Sequence, residues 1–322
     1  MINHPLPPCL IIGFARFEGV ARTLDVLAKS KVKRIYLALD GPRTPEQSLT
    51  QTRIILHAEE VCTANGIVLN VWQRENNLGV AASIMSAIDW FFSQVQSGII
   101  LEDDLMFDTN FLNFSSQALD YFKDDSNVWL ISGNNYFNDG VIKSENSWST
   151  YPLIWGWATW NTRWLEIRNL ILSNVEPDNS KLRESVRNYW STGLRRSRLG
   201  KLDSWAAPLA AIQHSMPRYT VIPPTNLVAN VGDDSAAVHT SVASWHMGQS
   251  VSSELINYTF ATEDRDKVSE INDLILETKV YGISFKNRYS LFLMWLLDEF
   301  RFPRKKRLSP LKSRMAAIEL PK

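Results

Sequence analysis

The first half of the chain alternates short apolar runs with longer stretches of helical spacing. Cys9 to Ala15, Arg34 to Leu39, Val68 to Gln73 and Val128 to Ser132 are of strand length and rich in aliphatic residues, so they predict strands. Val20 to Ala28 carries helical spacing, and Pro45 to Ala64 predicts a long helix with proline at the start, where its missing N–H costs least. Asp40-Gly41-Pro42 is a turn, and Asn76-Asn77-Leu78-Gly79 is a turn that opens a helix from Val80 to Phe92. A further helix begins near Asp108-Thr109-Asn110 and runs to Phe122. Short strands separated by helices of this length imply right-handed crossovers and a mainly parallel, Rossmann-like sheet flanked by helices.

The second half is less regular. Tyr151 to Trp164 is too aromatic for an ordinary loop, Lys181 to Arg198 predicts a mixed-charge helix, and Gly200 to Trp205 reads as a turn into another helix. Ile222-Pro223-Pro224 leads into the segment Asn226 to Gly232 and then to His239. No repeat or low-complexity segment marks a linker before about residue 250. The expected organisation is an α/β half over residues 1–137, an irregular second half of the same domain over 138–250, and a helical, basic C-terminal extension over 251–322.

One strand departs from the apolar pattern at its end. Gly98-Ile99-Ile100-Leu101 runs into Glu102, Asp103 and Asp104, three adjacent carboxylates. Like charges repel, and at the rim of a buried strand they become favourable when a cation sits among them, above all a divalent metal carrying a phosphorylated ligand. Ligands in open α/β sheets bind at the carboxyl ends of strands, where this run falls. The bland alternative is a solvated acidic turn before a helix. No G-x-G-x-x-G follows the first strand and no G-x-x-x-x-G-K-[ST] occurs, which counts against dinucleotide and P-loop phosphotransferase folds.

Composition narrows the class. The chain has 322 residues, 45% of them hydrophobic, and Lys+Arg and Asp+Glu are both 34, so the net charge is zero. That suits a globular enzyme and argues against a nucleic-acid binder, which would need a basic excess to release counterions. The two cysteines, Cys9 and Cys62, do not make a disulfide framework, and a reducing cytoplasm is the expected compartment. No signal peptide or bilayer-spanning run is read from the sequence. Of the twelve tryptophans, five fall between Trp148 and Trp164, a density that suits either a sugar site or an aromatic core.

The ordered set Asp-Gly-Pro, Asn-x-Gly, Ile-Leu-Glu-Asp-Asp, Trp-Gly-Trp-Ala-Thr-Trp, Asp-x-Trp, Pro-x-x-Asn-Leu-Val and a late His resembles bacterial sugar transferases of the GT-A superfamily. It is more distantly similar to the animal N-acetylglucosaminyltransferase I group, and the resemblance covers about residues 8 to 245. It implies a GT-A fold and a metal-dependent, inverting glycosyltransferase. Such an enzyme would move a sugar from a UDP-sugar to a glycan or lipid-linked glycan acceptor in bacterial surface polysaccharide synthesis. The implied cofactor is Mn²⁺ or Mg²⁺.

The resemblance also carries residue roles. Asp104 would ligate the metal, with His239 as a second ligand or phosphate donor. Asp103 would hold the ribose or a metal-bound water, and Glu102 would contact the donor sugar or orient its neighbours. Asp40 would accept the uracil N3–H, Arg16 would reach a phosphate or the ribose, and Asn77 and Gly79 would meet the ligand at a helix start. Arg74 is ambiguous in the same way. Asp203 is the expected general base, with Asp233 and Asp234 in reserve; the animal relatives carry two adjacent carboxylates where this chain has Asp203-Ser204. Trp157, in the block around Gly156, would floor the space between donor and acceptor, and Asn226 and Asn230 would orient the loop bearing His239. Each has an ordinary structural alternative: a turn former for Asp40, a helix cap for Asp203, a packing residue for His239 and core packing for any single Trp.

The C-terminal extension carries a different signal. Tyr289 to Leu297 is apolar nearly all round and is followed by Arg301, Arg304, Lys305, Lys306, Arg307, Lys312 and Arg314. This pattern reads either as a peripheral anchor on the anionic inner face of the membrane or as a helix packed on the domain with a solvated basic tail. Two rival functions stand beside the glycosyltransferase: a nucleotidyltransferase acting on a sugar phosphate, and a non-catalytic carbohydrate-binding protein of the same fold. The first would normally show a glycine-rich, basic loop after strand one, and Gly13-Phe14-Ala15-Arg16 is poor in glycine. The second would need no carboxylate cluster.

Overall fold

The strands β1 (Cys9–Gly13), β2 (Arg34–Leu39), β3 (Val68–Gln73) and β4 (Ser97–Glu102) run parallel in the spatial order β3-β2-β1-β4. The computed structural model describes residues 6–137, 145–173, 176–232, 251, 258–283 and 310–321. The chain leaves β1 towards β2 on one side, and β4 returns on the other, so the crevice at the carboxyl ends of β1 and β4 is a topological switch point. Beyond β4 the sheet continues with β8 (Trp157–Trp160), β6 (Val128–Ser132), β9 (Tyr219–Ile222) and β7 (Ser147–Ser149), giving eight strands. β8 is antiparallel to both β4 and β6, and β7 is antiparallel to β9, so six strands share one direction. The architecture is mixed α/β, with a large, mostly parallel, Rossmann-like sheet between helices.

The helices follow from local signals. Between the early strands lie α1 (Phe17–Lys29), α2 (Pro45–Ala64) and α3 (Val80–Gln94), and α4 (Thr109–Tyr121) precedes β6. Thr44 caps α2 by accepting the Gln47 N–H, with Pro45 at its first turn, and Asp108 caps α4 by accepting the Asn110 N–H at 2.8 Å. Later come α5 (Asn161–Leu172), α6 (Glu184–Arg198), α7 (Ala206–Gln213), α8 (Arg265–Ile275), which runs into a π-helical turn (Leu276–Val280), and α9 (Pro310–Ala316). Strand alternation divides the core between the two faces. Cys9 and Ile11 pack with Leu24, Leu37 and Phe111 on one side; Leu10 and Ile12 pack with Met85, Phe91 and Trp129 on the other.

The strand predicted to run into the carboxylates ends at Glu102. Asp103 and Asp104 form a turn, and a short strand β5 (Leu105–Phe107) follows, paired antiparallel with β10 (Val228–Asn230). The aromatic stretch is not a loop either, because part of it is β8, buried between β4 and β6. From the extension, α8 covers the edge strand β7, with Asn272 donating to the Trp148 carbonyl at 2.8 Å. The apolar run Tyr289 to Leu297 and the basic residues from Arg301 to Arg307 lie outside the described residues. No described helix is long and apolar enough to cross a membrane.

One close approach ties helix packing to the switch point. Gly19 of α1 lies so near the Asp103 backbone that an added Cβ would stand 1.7 Å from its carbonyl oxygen. No rotamer relieves a backbone clash of that depth. Gly19→Ala is therefore expected to push α1 off the carboxylate turn and cost about 1–3 kcal/mol, read by urea unfolding. Wild-type stability in the variant would show that the contact is slack.

Candidate functional site

The carboxylate turn is held from β1. The Phe14 N–H donates to Asp103 Oδ2 at 3.0 Å, and Arg16 Nη1 lies 3.1 Å from Asp103 Oδ1 and 3.4 Å from Asp104 Oδ2. Arg16, Glu102, Asp103 and Asp104 therefore meet at the switch point, as their residue types suggested. From the other side the Val231 N–H donates to the Asp104 carbonyl at 2.8 Å. Gly232 then passes so close that a Cβ there would lie 2.7 Å from Asp104 Oδ2. Asn230 shapes this passage by accepting the Gly232 N–H at 2.8 Å. His239, like Asp233 and Asp234, lies outside the described residues.

The cluster is electrostatically costly. Burial pushes the Glu102 carboxyl up to about 8, with the charges of Asp104 and then Asp103 adding and Arg16 opposing. Burial likewise raises Asp103 to about 6 against the pull of Arg16 and the Phe14 N–H. Asp104 Oδ1 is buried and has no hydrogen-bond partner among the described residues. An unpaired buried carboxylate oxygen costs free energy unless a donor or cation reaches it. Among the described residues no three His, Cys, Asp or Glu side chains form a metal cage. The donor set fits a hard cation of the Mg²⁺ or Mn²⁺ type, which takes one or two carboxylates and draws its other ligands from phosphate and water.

A second group gathers at the end of β2. Asp40 is buried, and its Oδ1 accepts the N–H groups of Gly41 and Leu78, each at 2.9 Å, while Oδ2 accepts from Asn77 Nδ2 at 2.9 Å. Burial raises the Asp40 pKa against these bonds and the nearby Arg74 charge. Asn77 also donates to the Gly41 carbonyl at 3.0 Å, so both residues weld the Asn76–Gly79 turn to β2. Gly79 has φ +77°, and a Cβ there would sit 2.6 Å from Asp203 Oδ2. Arg74 is buried beneath the turn, donating to the Ser83 carbonyl at 3.1 Å and to Ser86 Oγ at 2.8 Å, which removes it from the ligand face.

Two of the expected residues also hold structural positions. Asp203, the expected base, caps α3 across the fold: its Oδ2 accepts the Val80 N–H at 2.8 Å and its Oδ1 pairs with Arg314 at 2.9 Å. These contacts give Asp203 a capping role, for α3 rather than for the helix that follows it. Trp157, expected at the donor, is 1% exposed and stacks on Trp205 at 5.8 Å between centroids. As a residue of a central strand covered on both faces, it has no route to a ligand. Its neighbour Trp155 is half-buried just before β8, where Gly156 O accepts the Gly133 N–H next to the carboxyl end of β6.

Sequence reasoning also missed Gln51. Fully buried on α2, its Nε2 donates to the Phe14 carbonyl at 2.9 Å and the Asp40 carbonyl at 2.7 Å, joining the two groups. The signal was available, because Gln51 is polar on the same helical face as Ile54, Ala58 and Cys62. Asn134 and Asn135 were overlooked too: Asn134 Oδ1 accepts the Trp155 N–H at 3.2 Å, and the Asn135 N–H donates to Asn226 Oδ1 at 3.0 Å.

No protein-family model matches the chain, and no curated protein matches it in sequence. Among solved structures it is similar to HddC from Yersinia pseudotuberculosis, at 12% identity over 49% of this chain and 78% of that one, with a TM-score of 0.30. HddC complexed with GMP-PN matches at 11% identity over the same shares, with a TM-score of 0.31. UDP-glucose pyrophosphorylase complexed with UDP-glucose matches at 6% identity over 70% of this chain and 94% of that one, with a TM-score of 0.39. These likenesses assign no residue a role.

The raised pKa values carry a stability consequence. The unfolded Glu102 carboxyl loses its proton near 4.5, whereas the folded one keeps it to about 8, so stability falls as pH rises through that window. Glu102→Gln mimics the protonated form and removes the penalty. The variant is expected to be roughly 1–2 kcal/mol more stable than wild type at pH 8, with the gain shrinking towards pH 5. Urea unfolding at the two pH values checks this, and a gain that is absent or larger at pH 5 would refute it.

Proposed function

We propose that the protein is a metal-dependent glycosyltransferase that uses a nucleotide sugar, with a UDP-sugar as donor and a glycan or lipid-linked glycan as acceptor. The observation that carries this reading is the buried, unpartnered Asp104 Oδ1 beside Glu102 and Asp103 at the switch point. Such a cluster suits a site that gains its missing charge from a cation–diphosphate ligand. A bound Mn²⁺ or Mg²⁺ would supply neutralisation of the charge that builds on the leaving diphosphate.

In this reading Asp104 holds the cation, with His239 as a second ligand. Arg16 stays within reach of the diphosphate, Asp103 positions the ribose, and Glu102 faces the donor sugar. The nucleoside lies against Asp40, Asn77 and Gly79, where the Asn76–Gly79 turn forms a wall. Trp155 and Gly156, rather than Trp157, border the acceptor side and help to exclude water from the donor. The general base is drawn from Asp203, Asp233 and Asp234, and inversion is part of the proposal. Action at the inner membrane surface would suit a lipid-linked acceptor.

A thermal-shift panel tests it. Wild-type protein with Mn²⁺ and the true UDP-sugar at a hundred times Kd should gain about 2.7 kcal/mol of stability, and neither component alone should do so. Asp104→Asn should keep the fold and lose the metal-dependent gain. Metal-dependent stabilisation by a nucleoside triphosphate with a sugar 1-phosphate, and none by any UDP-sugar, would replace this reading with a nucleotidyltransferase.

A further inference from the structure

The end of the chain reaches the wall of the candidate site. Leu311 and Met315 of α9 are 3% and 6% exposed, buried in the cluster that contains Leu10, Ile12 and Phe91. Pro310 sits against Gly200, where φ is +69° and an added Cβ would come within 3.0 Å of the proline ring. The helix thus anchored carries Arg314 to the turn between β3 and α3. Arg314 Nη1 donates to the Leu78 carbonyl at 2.9 Å, and Nη2 donates to Asp203 Oδ1 at 2.9 Å.

Leu78 is consequently gripped at both backbone groups. Its N–H donates to Asp40 Oδ1 at 2.9 Å, from the β2 side, and its carbonyl accepts from Arg314, from the α9 side. Asp203 closes the ring of contacts by accepting the Val80 N–H. A turn ending in a glycine at φ +77° has little intrinsic stiffness, so an outside clamp decides how well it is ordered. The guanidinium suits the task because its planar fork serves a carbonyl and a carboxylate together, which a lysine ammonium does not match.

We propose that α9 is a clasp on the candidate site, with Arg314 as a positioning residue. Through Leu78 and Asp203 it holds the Asn76–Gly79 turn against Asp40, so that the wall for the nucleobase is formed before the nucleotide arrives. A preformed wall lowers the ordering cost of binding. The ligand named here rests on the nucleotide-sugar reading, while the clasp rests on the contacts alone.

Hydrogen exchange of the unliganded full chain tests the clasp, and calorimetric titration with UDP and Mn²⁺ tests its consequence. In Arg314→Ala the amides of Leu78 and Val80 should exchange roughly tenfold faster, with those of β1 unchanged. The Kd for UDP should rise roughly three- to tenfold. Arg314→Lys should fall between wild type and Arg314→Ala, and Lys312→Ala, on the same helix, should behave as wild type. Unchanged exchange in Arg314→Ala would overturn the clasp, and faster exchange with unchanged UDP affinity would overturn its positioning role. If wild-type protein itself fails to bind UDP, the nucleotide-sugar reading fails, and the exchange result still decides whether the clasp exists.

Discussion

The tie between the ends of β1 and β4 governs the arrangement of the site. Asp103 accepts the Phe14 N–H on one oxygen and Arg16 on the other, so the first strand and the acidic strand end at a common point. Parallel pairing alone aligns the two backbones; it does not decide where three carboxylates go. Arg16 meets part of their repulsion and leaves one oxygen of Asp104 unanswered. The fold tolerates this imbalance because the surrounding sheet is buried on both faces and supplies ample hydrophobic stabilisation. Local cost maintained by global packing is the usual signature of a site that acts on something.

Around that point the protein builds rigidity with polar groups rather than apolar ones. Gln51 spans the Phe14 and Asp40 carbonyls, Asp40 fastens the Asn76–Gly79 turn, and Asn134 and Asn135 brace the segments that bear Trp155 and Asn226. Each is buried and hydrogen-bonded, so each specifies a single geometry where an apolar contact would permit sliding. β10 and β5 add the last constraint by bringing Gly232 against Asp104.

Much of this was legible in the sequence. The strands at Arg34–Leu39, Val68–Gln73 and Val128–Ser132 and the helix Pro45–Ala64 begin and end where their apolar runs, proline and turn residues place them. The gathering of Arg16, Glu102, Asp103 and Asp104 also follows from strand ends in a parallel sheet. What local pattern could not reveal was long-range. Asp203 finds its partners at Val80 and Arg314, more than a hundred residues away in either direction, so its local reading as a base or as a cap for its own helix missed the contact. Trp157 sits in a strand of four residues that inserts between β4 and β6, and its aromatic neighbours suggested a site where the sheet required a core. Three-residue strands such as β5 and β10 carry too little periodicity to announce their pairing.

The central claim is that Asp104 stands where a cation and a diphosphate meet, and diffraction tests that most directly. Crystals grown with Mn²⁺ and UDP should give an anomalous manganese peak within direct ligand distance of an Asp104 oxygen, about 2.0–2.2 Å, with the diphosphate on its far side. A well-ordered UDP bound elsewhere, or a manganese peak with no contact to Asp104, would contradict the assignment.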